Sequence, residues 1–498
     1  MQPSRWPSAV RLPLAGVAGG ITVLGFAPFG IGVVAVLALG LLIWLWKTAS
    51  SAPAGAALGF AFGLGLMGFG VSWIRISIAQ FGGVHEALAV TITLGFVILM
   101  ASYFALVGWL VVRLRGRGSS LWLLLTVPAV WVLIEWLRGW LFTGFPWLAM
   151  GYTQIDLPLK GFAPLLGIYG VSGLVVLSAA LLNVTARLRA AAALGVLWIA
   201  GLALQQQAWT SPAGEPIKVS LLQASIPQSQ KWLPEMRAPT LAAYLSMTRQ
   251  VADSQIVVWP ETAVPAFDTA VEESLLAPLH EQLRAEGRDL ILGIVAAGEG
   301  DDYYNAMLSL GVSGRDHYYK RHLVPFGEYL PLERWLRPIL DFIEIPMSNF
   351  ARGDGSKPLV TLAGQPVGID ICYEDAYAEE IIRALPEATL LINASNDAWF
   401  GDSLAPHQHL EIARMRAVET GRYLLRATNT GISAIIAPDG QLLGVTPQFE
   451  PSVLTDEVTP RQGMTPFARW GHGGAVVLSL LLLSLGLWRS YRGSSSAT

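Results

Sequence analysis

The sequence holds one cysteine, Cys372, in 498 residues, and only 14% of its residues are charged. Ordinary soluble domains carry about a quarter. A lone cysteine excludes an intrachain disulfide framework. A net charge of −3 is too small to indicate a nucleic-acid partner. Internal repeats are lacking, and the one low-complexity stretch is the tail "GSSSAT". The first apolar run lacks a small-residue cleavage site and further runs follow at once, so it reads as a span and not as a removed leader.

What the chain has instead is apolar length. Hydrophobic residues make up 53% of it, concentrated before residue 206 and after residue 470. Runs of spanning length fall near 10–27, 31–47, 54–74, 87–112, 121–137, 162–186, 190–206 and 472–488. Basic residues mark one face of the short loops. Arg5 and Arg11 stand at the first run and Lys47 ends the second; "RLRGRG" (113–118), "RLR" (187–189) and "WRSYR" (488–492) follow the fourth, sixth and eighth. Arg75, Arg138 and Lys160 are the visible cations of the opposite loops. Eight spans with both termini in the cytoplasm place every basic cluster on the cytoplasmic face. The expected organisation is a seven-helix membrane domain (1–206), an extracytoplasmic domain (215–458), an eighth span (472–488) and a cytoplasmic tail (489–498).

Residues 215–458 alternate short apolar strands with helical stretches. The pattern predicts strands at 217–224, 255–260, 289–296, 305–312, 366–372, 388–395, 422–428 and 432–438, with a tight turn at "PDGQ" (438–441). Helices are expected at 239–252, 270–286, 375–384 and 406–420, the last opened by Pro406 and closed by Gly421. Strands without polar alternation, interleaved with helices, imply sheets covered by helices.

Cys372 lies in "GIDICYEDAY" (368–377), at the end of an apolar strand where a helix is expected to begin. The plain reading is a small buried hydrophobe. A free thiol outside the cytoplasm is prone to oxidation, however, and a helix N-terminus would favour its thiolate. The acids Glu374 and Asp375 oppose ionisation unless a cation offsets them. Lys320 ends the β-rich "HYYK" (317–320) before a Pro/Gly turn carrying Glu328, and Glu261 follows a buried strand in "VVWPETAVP" (257–265). Singly, such a glutamate is more often a solvated loop acid and such a lysine more often a surface cation. Three such residues at strand ends can converge at one edge of a sheet sandwich. There an acid takes the thiol proton, and an ammonium stabilises thiolate and oxyanion.

"WPET", "YYKRHLVPFGEYLP" and "ICYED" resemble the signatures of the nitrilase superfamily, and the whole chain resembles the apolipoprotein N-acyltransferase family. "GFAPFG" (25–30), "GFPWLAMGY" (144–152), "QSQKW" (228–232), "NASNDAWFGDS" (393–403) and "RATNTGISAII" (426–436) extend the likeness. The resemblance implies an αββα sandwich between membrane helices, with Glu261, Lys320 and Cys372 as a catalytic triad. It implies that phospholipid, usually phosphatidylethanolamine, gives its sn-1 acyl chain to Cys372 as a thioester. The α-amino group of a diacylglyceryl apolipoprotein then takes that chain as an amide, in the bacterial inner membrane. No cofactor is implied. Glu328 resembles the family's supporting glutamate, the Tyr373 N–H is an oxyanion donor candidate, and Glu374 is a supporting group behind the nucleophile.

Trp232, Trp399 and Phe400 are candidates for a lid and acyl channel, as is the apolar segment 341–350 between members of the triad. Trp147 and Arg138 are candidates for contact with the phospholipid headgroup, although Arg138 stands at i,i+3 from Glu135 and has a partner there. His407 and His409 lack the further ligands a metal site needs. Two other functions compete. A membrane-tethered amidase would use the same triad with water as acceptor, yet tethering needs one helix, not eight. A transporter or receptor leaves the Glu–Lys–Cys set unexplained and lacks buried polar residues along its spans.

Overall fold

The computed structural model describes residues 7–115, 121–300, 302–331 and 349–495. Arg5, residues 116–118 of the basic loop, most of the expected lid (341–348) and residues 496–498 lie outside them. The chain divides into two compact units. One comprises Met1–Arg75, His85–Ala208 and Arg469–Thr498; the other comprises Ile76–Val84 and Trp209–Ala468.

The first unit is helical. Helices Ser8–Thr22, Gly32–Lys47, Ala52–Gly70, Glu86–Arg113, Val127–Arg138, Ala163–Leu181, Arg187–Gln205 and Gly473–Ser495 coincide with the apolar runs of the sequence. Among the described residues, five helical stretches are long and apolar enough to cross a membrane, and Gly32–Lys47 and Gly473–Arg489 are shorter apolar helices. Glycines allow backbones to touch, as small residues do between membrane helices. A Cβ at Gly59 would lie 2.1 Å from the Phe104 carbonyl oxygen, and one at Gly65 would lie 2.0 Å from that of Gly16. Arg138 is buried here, and its Nη1 donates to the carbonyls of Phe145 (2.7 Å) and Trp147 (2.6 Å), closing the turn after its helix. Glu135 accepts from the Met150 N–H at 3.0 Å and the Trp131 indole at 3.2 Å. Trp147 is buried against Phe145 and Trp73.

The second unit is built of four layers. Among the described residues, one sheet has seven strands: Ile217–Gln223, Ile256–Val258, Val264–Phe267, Asp289–Ala297, Tyr303–Gly311, Asp316–Tyr319 and Ser452–Val458. The other has six: Leu359–Leu362, Gln365–Ile371, Leu390–Ser395, Leu424–Thr428, Ala434–Ile436 and Leu442–Val445. Each has a parallel centre, with 217–223, 256–258 and 289–297 in one and 365–371, 390–395 and 424–428 in the other. Both faces of these strands are apolar because both are covered. Val219, Val258 and Ile291 meet Ile369, Ile392 and Leu425 in the core between the sheets. On its outer face the first sheet packs Trp259 and Leu292 against Tyr244, Leu279 and Leu283 of helices Pro234–Gln250 and Ala277–Glu286. The second packs Leu391 and Leu424 against Leu410, Ala413 and Ala417 of helix Ala405–Thr420. This is the αββα sandwich that the resemblance implied.

The eight expected strands all occur, and the turn at Gly440 joins Ala434–Ile436 to Leu442–Val445 as an antiparallel pair. The β-rich "HYYK" is strand Asp316–Tyr319, while strands 264–267, 359–362 and 452–458 were not legible as separate strands; the first two are short, and Ser452–Val458 alternates between exposed and half-buried residues as an edge strand does. The expected helix 375–384 is instead a 3₁₀ turn, Cys372–Ala376, followed by the short helix Ala378–Ile382. The unit also extends beyond 215–458, because Ser211–Pro212 pairs with Arg461–Gln462.

Gly293 shows how tightly strand Asp289–Ala297 backs the Glu261 loop. A Cβ there would lie 2.3 Å from the Thr262 nitrogen, 2.4 Å from the Pro260 oxygen and 2.7 Å from the Glu261 carbonyl carbon. All three are backbone atoms, so the loop itself must move. Gly293→Ala is expected to destabilise the purified protein by about 1–3 kcal/mol, as overpacking does, seen as a lower apparent Tm, and to reduce activity; an unchanged Tm with full activity would contradict this packing.

Candidate active site

The three candidate residues Glu261, Lys320 and Cys372 each follow a strand. After Ile256–Val258 the chain runs through Trp259 and Pro260 to Glu261. The Trp259 N–H donates to the Ile291 carbonyl at 2.9 Å, its indole donates to Thr248 at 3.0 Å, and its ring stacks on Tyr244. The loop bearing Glu261 is therefore fixed from behind. Lys320 directly follows Asp316–Tyr319, and its N–H donates to the Asn305 carbonyl at 2.8 Å. Its ammonium is wholly buried, 2.9 Å from Glu328 Oε1 and 3.4 Å from Glu261 Oε1. Burial acts to lower its pKa, but Glu328 and then Glu261 outweigh that and hold it above the ordinary lysine value.

Asn305 completes this arrangement. Its Nδ2 donates to Glu261 Oε1 at 2.7 Å and to Glu328 Oε1 at 2.9 Å, so one amide ties both carboxylates to the lysine. The other Glu328 oxygen accepts from the Val324 N–H at 2.8 Å. Sequence reading missed Asn305, which has no motif of its own. Its signal was positional: it lies on the strand that pairs with the one leading to Lys320. Lys231, in "QSQKW", was also missed. It is buried, donates to the Glu261 carbonyl at 3.2 Å, and is pushed down to about 8 by burial, against the pull of Glu261.

Cys372 ends Gln365–Ile371 with φ of +54°, a conformation that costs an L side chain of order 1–3 kcal/mol. It belongs to the core between the sheets and is 8% exposed. Burial first, and Glu261 next, push its thiol above the ordinary cysteine value, while Lys320 pulls it down. The neighbours in "CYED" point elsewhere. Glu374 accepts from the Ile371, Arg321 and His322 N–H groups at 2.8, 2.8 and 3.0 Å and from the Tyr318 hydroxyl at 2.9 Å. One buried carboxylate thus fastens the turn at Cys372 to the chain just beyond Lys320. Asp375 lies on the other side, 2.9 Å from His409 Nε2 and 3.2 Å from Arg426. The opposition expected from the adjacent acids is thus exerted by Glu261 instead, and the helix terminus expected to offset it is a single 3₁₀ turn.

The remaining candidates are spread more widely. Tyr373 bonds Tyr377 through its hydroxyl at 3.0 Å and packs near His322. Trp232 is 41% exposed after the short helix Gln228–Lys231. Trp399 and Phe400 lie on the turn Asp397–Phe400, where the Trp399 carbonyl accepts from Ser77 at 2.7 Å and its ring meets Phe81 edge-on. Arg138 and Trp147 belong to the helical unit. His407 meets Gln448 at 3.1 Å, and His409 sits between two aspartates.

The resting thiol is accordingly neutral near pH 7. Iodoacetamide should alkylate Cys372 at a rate that still climbs through pH 9, where an ordinary cysteine with a pKa of about 8.5 is already levelling. Glu261→Gln removes a charge that raises the thiol pKa, so its curve is expected to move to lower pH. A wild-type plateau below pH 8, or a shift to higher pH in the variant, contradicts the charge pattern.

Two family profiles match the chain in tandem: the apolipoprotein N-acyltransferase N-terminal domain over residues 18–181, and carbon-nitrogen hydrolase over residues 218–464. The chain is 46% identical to the apolipoprotein N-acyltransferase of Methylococcus capsulatus over 437 residues, covering 86% of each chain. It is 44% identical to that of Nitrosomonas europaea, covering 97% of this chain and 98% of the relative, and 40% identical to that of Pseudomonas syringae pv. tomato, covering 97% of both. On these likenesses over nearly its whole length, the chain belongs to the apolipoprotein N-acyltransferase family.

Proposed function

We propose that the protein is the N-acyltransferase that completes lipoprotein maturation, with Cys372 as nucleophile, Glu261 as general base and Lys320 as electrostatic partner of both. The observation that carries this reading is the buried Lys320 ammonium shared by Glu261 and Glu328 in the unit where Cys372 belongs to the inter-sheet core. In the first half-reaction the sulfur attacks the sn-1 ester carbonyl of a phospholipid, phosphatidylethanolamine in this proposal, while Glu261 accepts the thiol proton. Lys320 and the Tyr373 N–H receive the developing oxyanion. The ester C–O bond breaks, the proton passes from Glu261 to the leaving alkoxide, and a lysophospholipid departs from the thioester.

In the second half-reaction the α-amino group of the diacylglyceryl cysteine attacks the thioester. Glu261 takes its proton, the C–S bond breaks, and the proton returns to the thiolate. No ATP is consumed, because the ester bond of the donor supplies the acyl potential. A neutral thiol beside a carboxylate suits this cycle, since the proton moves only as the S–C bond forms. We further propose eight spans with cytoplasmic termini, which puts residues 207–470 at the outer face of the inner membrane where both lipid-anchored substrates lie. Trp232, Trp399 and Phe400 then border the acyl path.

Incubating detergent-purified protein with acyl-labelled phospholipid should place one acyl group on Cys372 by intact mass, and a diacylglyceryl peptide with a free amine should then remove it as amide. Cys372→Ser should take no label. Glu261→Gln should slow loading roughly 100-fold or more, the range for losing a general base. Release of free fatty acid in place of peptide amide would identify a hydrolase, and absence of label on the wild type would refute the reading.

A further inference from the structure

The Cys372 carbonyl points into a buried polar cluster that the acyl-transfer steps above leave without a task. Two donors converge on its oxygen, His409 Nε2 at 3.3 Å and Asn393 Nδ2 at 3.2 Å. His409 reaches it from helix Ala405–Thr420, and Asn393 from strand Leu390–Ser395, which is parallel to the strand ending at Cys372. Neither approach is adventitious, because both side chains are buried and held at their other atoms. His409 Nδ1 lies 2.8 Å from Asp397, and its Nε2 is shared with Asp375 at 2.9 Å. The Asn393 side-chain oxygen accepts from Arg426 while its Nδ2 also donates to Asp370, which settles the orientation of the amide.

The charged groups around His409 are Asp375 on the turn after Cys372, Asp397 on the turn 397–400, and Arg426 on strand Leu424–Thr428. Two carboxylates and one guanidinium leave one negative charge, and a protonated imidazole cancels it. Burial and then Arg426 act to lower the imidazole pKa, yet Asp375 and Asp397 overcome them and raise it to about 9. Both ring nitrogens therefore carry hydrogens at neutral pH. Nε2 is a donor toward the Cys372 carbonyl, whereas a bare nitrogen there would face the lone pairs of two oxygens.

A trans peptide is planar, with its C=O and N–H pointing in opposite directions. Anchoring the Cys372 carbonyl therefore fixes the direction of the Tyr373 N–H at the opposite edge of the same plane. Hydrogen bonds to a carbonyl also polarise the amide and strengthen its N–H as a donor, by about 10–30% per bond. A residue at φ of +54° needs such over-determination. We propose that His409 and Asn393 are positioning residues for acyl transfer: by donating to the Cys372 carbonyl they aim and polarise the Cys372–Tyr373 peptide, whose N–H receives the oxyanion. This rests on the acyl-transfer reading above, but it assigns two residues that the reading does not use.

Acylation passes through an oxyanion, and alkylation by iodoacetamide does not, although both consume the same thiol. The test is the ratio of the two rates at one pH, with p-nitrophenyl butyrate as acyl donor and the nitrophenolate burst as readout. His409→Gln and Asn393→Ser are each expected to lower the acylation-to-alkylation ratio about 10- to 100-fold, somewhat less than outright loss of an oxyanion donor. The KM for the ester should stay within about twofold of wild type, as expected of an interaction made in the transition state. A ratio unchanged from wild type, or acylation and alkylation falling together, overturns the proposal. Should His409→Gln not fold, Asn393→Ser decides alone on the same criterion. A wild type acylated by the nitrophenyl ester and not by phospholipid would sink the proposed function while leaving this ratio intact. A wild type that alkylates but accepts acyl from neither donor overturns both.

Discussion

Lys320 has no access to water, so its ammonium keeps its charge only through carboxylates that the fold brings to it. An isolated buried cation is unsustainable, and removing one partner from a buried pair typically costs about 3–5 kcal/mol. Glu261 and Glu328 arrive from separate loops, and Asn305 holds both on the neighbouring strand. Edge strand Asp316–Tyr319, the turn through Glu328 and the Pro-flanked loop after Ile256–Val258 must therefore all close on one point. Polar satisfaction, and not apolar packing alone, decides how the first sheet ends.

The two sides of Cys372 differ in charge. On one side burial and the Glu261 carboxylate keep the sulfur protonated, while the Lys320 ammonium opposes them. On the other, Asp375 and Asp397 are paired with Arg426 and the His409 imidazolium. That side is buried and ion-paired, and can serve as a fixed frame. Glu374, with three backbone donors and a tyrosine hydroxyl, couples that frame to the chain beyond Lys320.

The parts legible in the sequence were those written in local pattern. Strands such as 289–297 and 365–371 announce themselves as apolar runs, and Glu261, Lys320 and Cys372 each stand where such a run stops. The eight Ile, Leu and Val residues of "DLILGIVA" and "PVGIDIC", all buried, need no partner to be recognised. What stayed hidden depends on partners distant in the chain. Glu374 and Asp375 read as acids against the thiol because they adjoin it in sequence, yet the turn at Cys372 directs both away from it. Asn305 and Lys231 carry no motif, and their roles exist only once Glu261 has been placed. His409 was weighed as a metal ligand because a histidine's two nitrogens invite that reading. Its actual neighbours, Asp375 and Asp397, come from two other segments, and only their sum with Arg426 explains its charge.

The pairing of Ile217–Gln223 with Ser452–Val458 couples the first long strand of the sandwich unit to its last. When the chain is synthesised from its N-terminus, the opening strand must wait through most of the unit before its antiparallel neighbour is made. Until then one flank of the seven-stranded sheet exposes a row of unpaired backbone groups. Completion of the enzyme is thus gated by the end of translation of this unit, and a nascent or truncated chain presents an open template to which chaperones or aggregating partners can add.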